Sequence, residues 1–81
     1  METRTLSAIA REALTSATLK GNAKACAGAY LEPMTTLETV NDSYGMDSGR
    51  SIVMYALANL STWRGDDARR IKAELKAHLK G

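Results

Sequence analysis

The chain contains 81 residues, which suffices for one small domain with a single modest core. Its apolar residues are mainly Ala and Leu, with no Phe, three Tyr and one Trp, so the composition favours an all-α domain over residues 1–81, a compact bundle of four to five short helices, rather than a sheet. The one cysteine, Cys26, excludes an intramolecular disulfide and a cysteine-rich zinc site, and the net charge of +2 excludes a strongly charged chain.

The first predicted helix begins after Thr5. Apolar residues recur from there with a period of 3.6, the pattern of an amphipathic helix. Thr5 is suited to the N-cap, and Gly21 is suited to the C′ position because glycine adopts left-handed backbone at little cost. The sequence therefore predicts a helix between these two residues.

A short second helix is predicted over residues 23–31, where most side chains are small. Cys26, Ala29 and Tyr30 fall on one side of this helix and form its predicted packing face. Pro33 is expected to end it, because the ring clashes with the preceding turn. Alternatively, Pro33 lies in the first turn of the next helix, where a missing N–H costs nothing.

A third, shorter helix is predicted over residues 36–44. Thr35 and Glu38 have the spacing of a capping box, in which each side chain satisfies a backbone N–H of the first helical turn. Gly45 follows as a natural stop.

The C-terminal part of the chain predicts a helical hairpin, about 48–63 and 66–80. Each segment carries one apolar stripe, and Gly65 and Asp66 supply the turn and the second cap. We expect the two stripes to face each other, with the rest of the chain packed around the hairpin. The predicted core consists of Leu6, Ile9, Leu14, Tyr30, Leu37, Val40, Ile52, Val53, Leu57, Leu60, Ile71, Leu75 and Leu79.

The sequence predicts a cytoplasmic protein that does not enter a membrane. Arg4, Arg11 and Glu12 interrupt the N-terminal apolar residues, so no signal peptide is indicated. No apolar run approaches the roughly 20 residues that cross a bilayer.

No combination of residues in the sequence indicates an active site. His78 is the only histidine, and its place on an apolar stripe favours a structural role. Cys26 lies among alanines, where a free cysteine acts as a small apolar residue. We therefore predict a non-enzymatic protein with no catalytic residue, no cofactor and no metal.

Trp63 and Arg64, at the corner of the predicted hairpin, are candidates for protein binding. Trp and Arg are enriched in binding hot spots, and a Trp at an inter-helix turn is often half covered. Alternatively, Trp63 closes the end of the core and Arg64 stacks on it or caps a carbonyl. Residues 31–48 form a second candidate surface, because they carry four carboxylates and no Lys or Arg.

Basic residues on the last predicted helix are candidates for nucleic-acid binding. They recur at spacings of three and four, so they share one face that could neutralise phosphates. A solvated helix face has the same pattern, and Glu74 together with Asp66 and Asp67 dilutes the charge. The residues are Arg69, Lys72, Lys76 and Lys80.

A weaker candidate is an anion site formed by Ser48, Gly49 and Arg50. Free N–H groups at a helix N-terminus beside a cation can hold a phosphate or carboxylate. An ordinary N-cap explains the same residues, and neither the glycine spacing nor the lysine of a P-loop is present.

These patterns predict a small non-enzymatic helical protein that acts by protein–protein interaction, with a protein partner or by self-association through the second helix. The alternative is weak nucleic-acid binding through the basic face of the last helix. The length and the absence of motifs are typical of small bacterial accessory proteins.

Overall fold

Residues 4–80, the part of the chain that the computed structural model describes, form four helices and one short antiparallel β-hairpin. The helices are α1 (Leu6–Thr15), α2 (Gly21–Met34), α3 (Gly49–Asn59) and α4 (Asp66–Lys80). The strands, which lie between α2 and α3, are β1 (Ser43–Tyr44) and β2 (Asp47–Ser48). The fold is mostly helical, as predicted, but it has four helices in this range and a small sheet that the sequence did not indicate.

Helix α1 begins as predicted and ends early. The Thr5 hydroxyl accepts a hydrogen bond from the Ala8 N–H at 3.2 Å, which is the expected N-cap. At the other end, the Thr15 hydroxyl donates to carbonyls of the preceding turn, and Ser16 is already extended. Hydroxyl groups that bond to nearby carbonyls compete with helical backbone bonds, so α1 ends before its predicted boundary.

The segment after α1 turns into the core. Leu19 is 1% exposed, and Gly21 has a φ of 66°, a left-handed conformation that glycine adopts without strain. Gly21 is therefore the first residue of α2 and not the end of α1. The predicted boundary is wrong because Leu19 leaves the helical path to reach the core.

Helix α2 passes through Pro33, where the sequence predicts an end. The helix ends one residue later, at Met34. Ala27, Leu31 and Met34 share its buried face, so their burial offsets the backbone bond that proline removes. The predicted packing face is also wrong, because Cys26 is exposed.

The predicted helix over residues 36–44 does not form. The hydroxyls of Thr35 and Thr36 donate to the carbonyls of Glu32 and Pro33 at 2.6 and 2.7 Å. Carbonyls at the end of a helix lack partners within it. The two threonines therefore complete α2, and no capping box begins a new helix.

Residues 37–42 form a turn in place of that helix. The Asp42 carboxylate accepts hydrogen bonds from two backbone N–H groups of the turn, at 2.8 and 3.2 Å. Leu37 and Val40 are buried, as predicted. The turn is thus fixed by a carboxylate on its outer side and by apolar burial on its inner side.

The β-hairpin follows, with Tyr44 opposite Asp47. Gly45 and Met46 form the connecting loop, and the φ of 62° at Gly45 suits the tight turns that join paired strands. The hairpin therefore places Tyr44 and Asp47 side by side just before α3 begins.

The core draws apolar residues from all four helices and from the segments between them. Four predicted core residues, Leu14, Tyr30, Leu57 and Leu79, are only partly buried at its edge. No polar or charged residue within 4–80 is buried. The buried set is Leu6, Ile9, Ala10, Ala13, Leu19, Ala27, Leu31, Met34, Leu37, Val40, Ile52, Val53, Ala56, Leu60, Trp63, Ala68, Ile71 and Leu75.

The helix pairing differs from the predicted hairpin. Helices α3 and α4 do contact each other, but α3 packs mainly against α2. Helix α3 also ends at Asn59 and not near residue 63. The small residues of α2 permit a close approach of helix α3, which makes α2–α3 the principal pair and leaves one face of each helix beside the β-hairpin.

An ionic network links Arg4 and α1 to α4. Glu12 lies 2.8 Å from Arg4 and also pairs with Arg70. Glu74 lies 2.6 Å from Arg4 and 3.5 Å from Arg70. The hydrogen bond from Arg70 and then that from Arg4 lower the pKa of Glu12 from 4.5 to about 2.

Removing one carboxylate of this network should cause a pH-dependent loss of stability. Because the pKa of Glu12 is lowered on folding, its contribution is complete above pH 4.5 and is lost as the pH falls towards about 2. The side chain is 35% exposed, so we expect Glu12→Gln to cost only about 0.5–1 kcal/mol at neutral pH.

The measurement is the urea midpoint of the wild type and of Glu12→Gln as a function of pH. The gap between them should close as the pH falls below 4.5. Glu38→Gln, which removes an exposed carboxylate outside the network, should leave no such gap. A gap for Glu12→Gln that persists at low pH would contradict the assignment of the stability to these ion pairs.

Candidate docking groove

Trp63, a predicted protein-binding residue, lies inside the fold. Its side chain is 3% exposed, and its Nε1–H donates to the Thr18 hydroxyl at 2.9 Å. The expectation of a half-covered ring is therefore corrected in favour of the alternative, in which Trp63 closes the end of the core. In the folded protein this ring offers almost no surface to a partner.

Arg64 lines a depression of about 230 Å³ together with Arg69 and Lys72. The structure thus brings a predicted protein-binding residue beside two predicted nucleic-acid-binding residues. Lys72 is engaged within the fold, because its Nζ donates to the carbonyls of Leu60 and Trp63 at 3.2 and 2.7 Å. Its ammonium group therefore stabilises the turn that follows α3.

The other predicted basic residues, Arg69, Lys76 and Lys80, are exposed on α4. The sequence indicates that Glu74 dilutes this face. In the structure, Glu74 instead turns to the ionic network, where it pairs with Arg4. Glu74 therefore does not offset the charge of Lys76 and Lys80, whereas Asp66 lies 3.8 Å from Arg69 at the start of the helix.

The residues of the predicted anion site are used within the fold. The Ser48 hydroxyl caps α3, and the Gly49 N–H donates to the Asp42 carbonyl at 2.7 Å. Arg50 donates to the Leu79 carbonyl at 2.8 Å, at the end of α4. The structure does not direct these three residues toward a common ligand.

The residues considered for chemistry are not brought together either. His78 Nε2 lies 2.7 Å from the Arg4 carbonyl, a contact that fastens the end of α4 to the start of α1, and Cys26 is exposed on α2. Among residues 4–80, no group of three or more His, Cys, Asp or Glu could hold a metal ion.

All three tyrosines of the chain converge on one groove between α2, α3 and the β-hairpin. The groove has a volume of about 520 Å³, within the range of ligand-binding clefts in proteins. We call it the aromatic groove. It is lined by Ala29, Tyr30, Pro33, Tyr44, Asp47, Ser51, Ile52 and Tyr55.

The tyrosine rings are held in place yet remain accessible. The rings of Tyr30 and Tyr55 stack, with centroids 5.4 Å apart and planes inclined by 26°, a favourable offset geometry. Tyr55 is 57% exposed and Tyr44 is 50% exposed. The groove therefore presents ordered aromatic surface that the fold itself does not cover.

Two methionines are also exposed. Met46, in the loop of the β-hairpin, is 103% exposed, and Met54, on α3, is 55% exposed. Within the described part of the chain, these methionines with Tyr44 and Tyr55 are the large apolar side chains that are exposed. Three of these four side chains, those of Tyr44, Met54 and Tyr55, line two depressions that share Tyr55, and such clustering of exposed apolar groups is typical of an interaction site.

A second depression adjoins the aromatic groove along α3. It has a volume of about 280 Å³ and is lined by Ser51, Met54, Tyr55 and Ala58. Ser51 and Tyr55 line both depressions, so Tyr55 forms the ridge between them. An occupant that fills both depressions contacts Tyr55 from both sides.

The charge of the aromatic groove is negative. Asp47 is the one charged residue in its lining. Within residues 4–80, no Lys, Arg or His side chain lies close enough to Asp47 to form a salt bridge. Arg50, the cation nearest in sequence, points to the end of α4. The carboxylate of Asp47 is therefore available to a positively charged ligand.

The sequence interpretation missed the aromatic groove. On α3 the core stripe consists of Ile52, Val53 and Ala56, whereas Met54 and Tyr55 lie outside it. Two consecutive large apolar residues on the side facing solvent were the signal available in the sequence. Their approach to Tyr30 and Tyr44 depends on the α2–α3 packing.

Comparisons with protein-family models, with curated protein sequences and with solved structures gave no match to this chain. In the part of the chain that the structure describes, each helix is too short or too polar to cross a membrane.

Proposed function

We propose that this protein is a non-enzymatic binding module that docks a segment of another protein in the aromatic groove. The observation that carries this proposal is the convergence of all three tyrosines on that groove, with Met54 in the adjoining depression. Tyrosine is enriched in binding hot spots, and methionine adapts its shape to different partners.

The chemistry of the groove indicates a partner segment with apolar side chains and positive charge. Two adjoining depressions, of about 520 and 280 Å³, favour a polypeptide that inserts more than one side chain. Asp47 supplies a negative charge that no cation in the lining balances. A basic, amphipathic segment complements both features.

Tyr55→Ala should weaken the binding of the partner by about 30-fold or more, the effect of a hot-spot residue. The test captures partners from a lysate of the source organism with the wild type, with Tyr55→Ala and with the control Lys76→Ala/Lys80→Ala. Affinities are then measured by calorimetry with the purified partner. Unchanged affinity for Tyr55→Ala would contradict docking in the aromatic groove.

A second candidate function is nucleic-acid binding through α4. The specific observation in its favour is that Glu74 pairs with Arg4 and leaves the outer face of α4 positive. The same capture experiment distinguishes the two functions. Nucleic acid that is lost with Lys76→Ala/Lys80→Ala, dissociates in high salt and is retained by Tyr55→Ala would support the second candidate over the first.

A further inference from the structure

The exposed face of α3 has the shape of a helix-packing surface. Ser51, Tyr55 and Ala58 lie on one side of α3 at spacings of four and three, and all three line the depressions. Small residues at either end of a large one form a surface into which the side chains of a second helix can pack. An amphipathic helix in a groove is a recurrent form of peptide recognition.

The charge lies at one end of this surface. Asp47 belongs to β2, which directly precedes α3, so its carboxylate lies at the N-terminal end of the exposed α3 face. Asp47 is the one charged residue in the groove lining. An occupant of the groove therefore meets a negative potential at the hairpin end and apolar surface beyond it.

We infer that the groove accepts an amphipathic helix whose Lys or Arg pairs with Asp47 while two of its apolar side chains enter the depressions on either side of Tyr55. This inference rests on the proposed function and adds the helical conformation of the occupant, the carboxylate with which its cation pairs and the depressions that its apolar side chains enter. A helix places side chains three or four positions apart on one face, which suits two depressions separated by a single ridge.

The test uses a phage library of random peptides selected against the wild-type protein and counter-selected against Tyr55→Ala. Enriched peptides should contain Lys or Arg together with apolar residues three or four positions apart. Their affinity for Asp47→Asn should be about three- to tenfold lower than for the wild type. Glu38→Gln removes a carboxylate that does not line the groove, so this variant should bind the enriched peptides with the affinity of the wild type.

The circular dichroism of an enriched peptide should show a gain of helix when it binds. Peptides that distinguish the wild type from Tyr55→Ala but lack cations, gain no helix, or bind Asp47→Asn unchanged would overturn this inference and leave the proposed function standing. If no peptide is enriched, or if none distinguishes Tyr55→Ala, the proposed function fails as well. A dimer of the wild type that dissociates in Tyr55→Ala would identify a second copy as the occupant and also overturn the inference.

Discussion

Trp63→Ala should destabilise the protein by about 3–5 kcal/mol, the range for removing a buried aromatic side chain. The ring is 3% exposed and closes the end of the core, so its loss leaves a cavity. The Thr18 hydroxyl also loses the hydrogen bond of 2.9 Å that it accepts from the Trp63 Nε1–H. Such a loss is a large part of the roughly 4–12 kcal/mol expected for a domain of this length.

The measurement is the midpoint of urea unfolding followed by circular dichroism. Tyr55→Ala is the matched control, because it removes an aromatic ring of which 57% is exposed, and it should cost about 1 kcal/mol or less. Trp63→Phe keeps most of the buried ring and should lie between the two. Equal midpoints for Trp63→Ala and Tyr55→Ala would contradict the burial of Trp63.

The burial of Trp63 makes Trp63→Ala a poor probe of partner binding. A partner that is lost with Trp63→Ala can be lost because the protein unfolds, and such a loss does not identify a contact surface. Tyr55→Ala removes exposed surface and leaves the core intact, so it reports on docking. The residue that the sequence favoured as a binding probe is therefore the less informative of the two.

Gly49→Ala should destabilise the protein by about 1–3 kcal/mol, the range for overpacking a well-packed site. A Cβ at Gly49 would lie 2.9 Å from the carbonyl oxygens of Asp42 and Thr39 and 3.0 Å from the Cα of Val40. These are backbone atoms, so the turn must move to accept a methyl group. The Gly49 N–H, which donates to the Asp42 carbonyl at 2.7 Å, would be displaced with it.

Gly28→Ala is the matched control for this change. Gly28 lies inside α2, and a Cβ there meets no atom within 4 Å. We expect it to stabilise the protein by about 0.5–1 kcal/mol, because alanine loses less backbone entropy than glycine in a helix. The measurement is again the urea midpoint, and the two glycine variants should shift it in opposite directions. A Gly49→Ala midpoint at or above that of the wild type would show that the turn is not closely packed on α3.

The same contact determines where the hairpin side of the aromatic groove lies. Because the turn over residues 37–42 rests directly on Gly49, the β-hairpin that follows is held against the start of α3. Tyr44 and Asp47 reach the groove from that hairpin. Gly49→Ala should therefore also disturb the groove, which makes it unsuitable as a control for docking.

The sequence alone determined the helical class and several helix ends, because these depend on local interactions. The Thr5 cap of α1 and the bounds of α4 at residues 66–80 follow from periodicity and from side chains that bond to nearby backbone groups. The apolar stripes of the predicted helices also identified half of the buried core residues, including Leu6, Ile71 and Leu75.

Local signals failed where the same residues allowed two interpretations. Thr35 could cap a new helix or complete the one before it, and it completes α2 through its bond to the Glu32 carbonyl. Pro33 could end α2, but burial of Met34 extends the helix past it. In both cases burial of the neighbouring apolar residues decided between the alternatives, and burial is a property of the whole fold.

Only the tertiary structure determined the candidate site. The pattern around Trp63 is the same for a binding residue and for a core residue, and its contact with Thr18, distant in sequence, decides for the core. Tyr30, Tyr44 and Tyr55 lie on three separate elements, and no sequence spacing relates them. They meet because α2 packs on α3 and because Gly49 lets the β-hairpin rest against that pair.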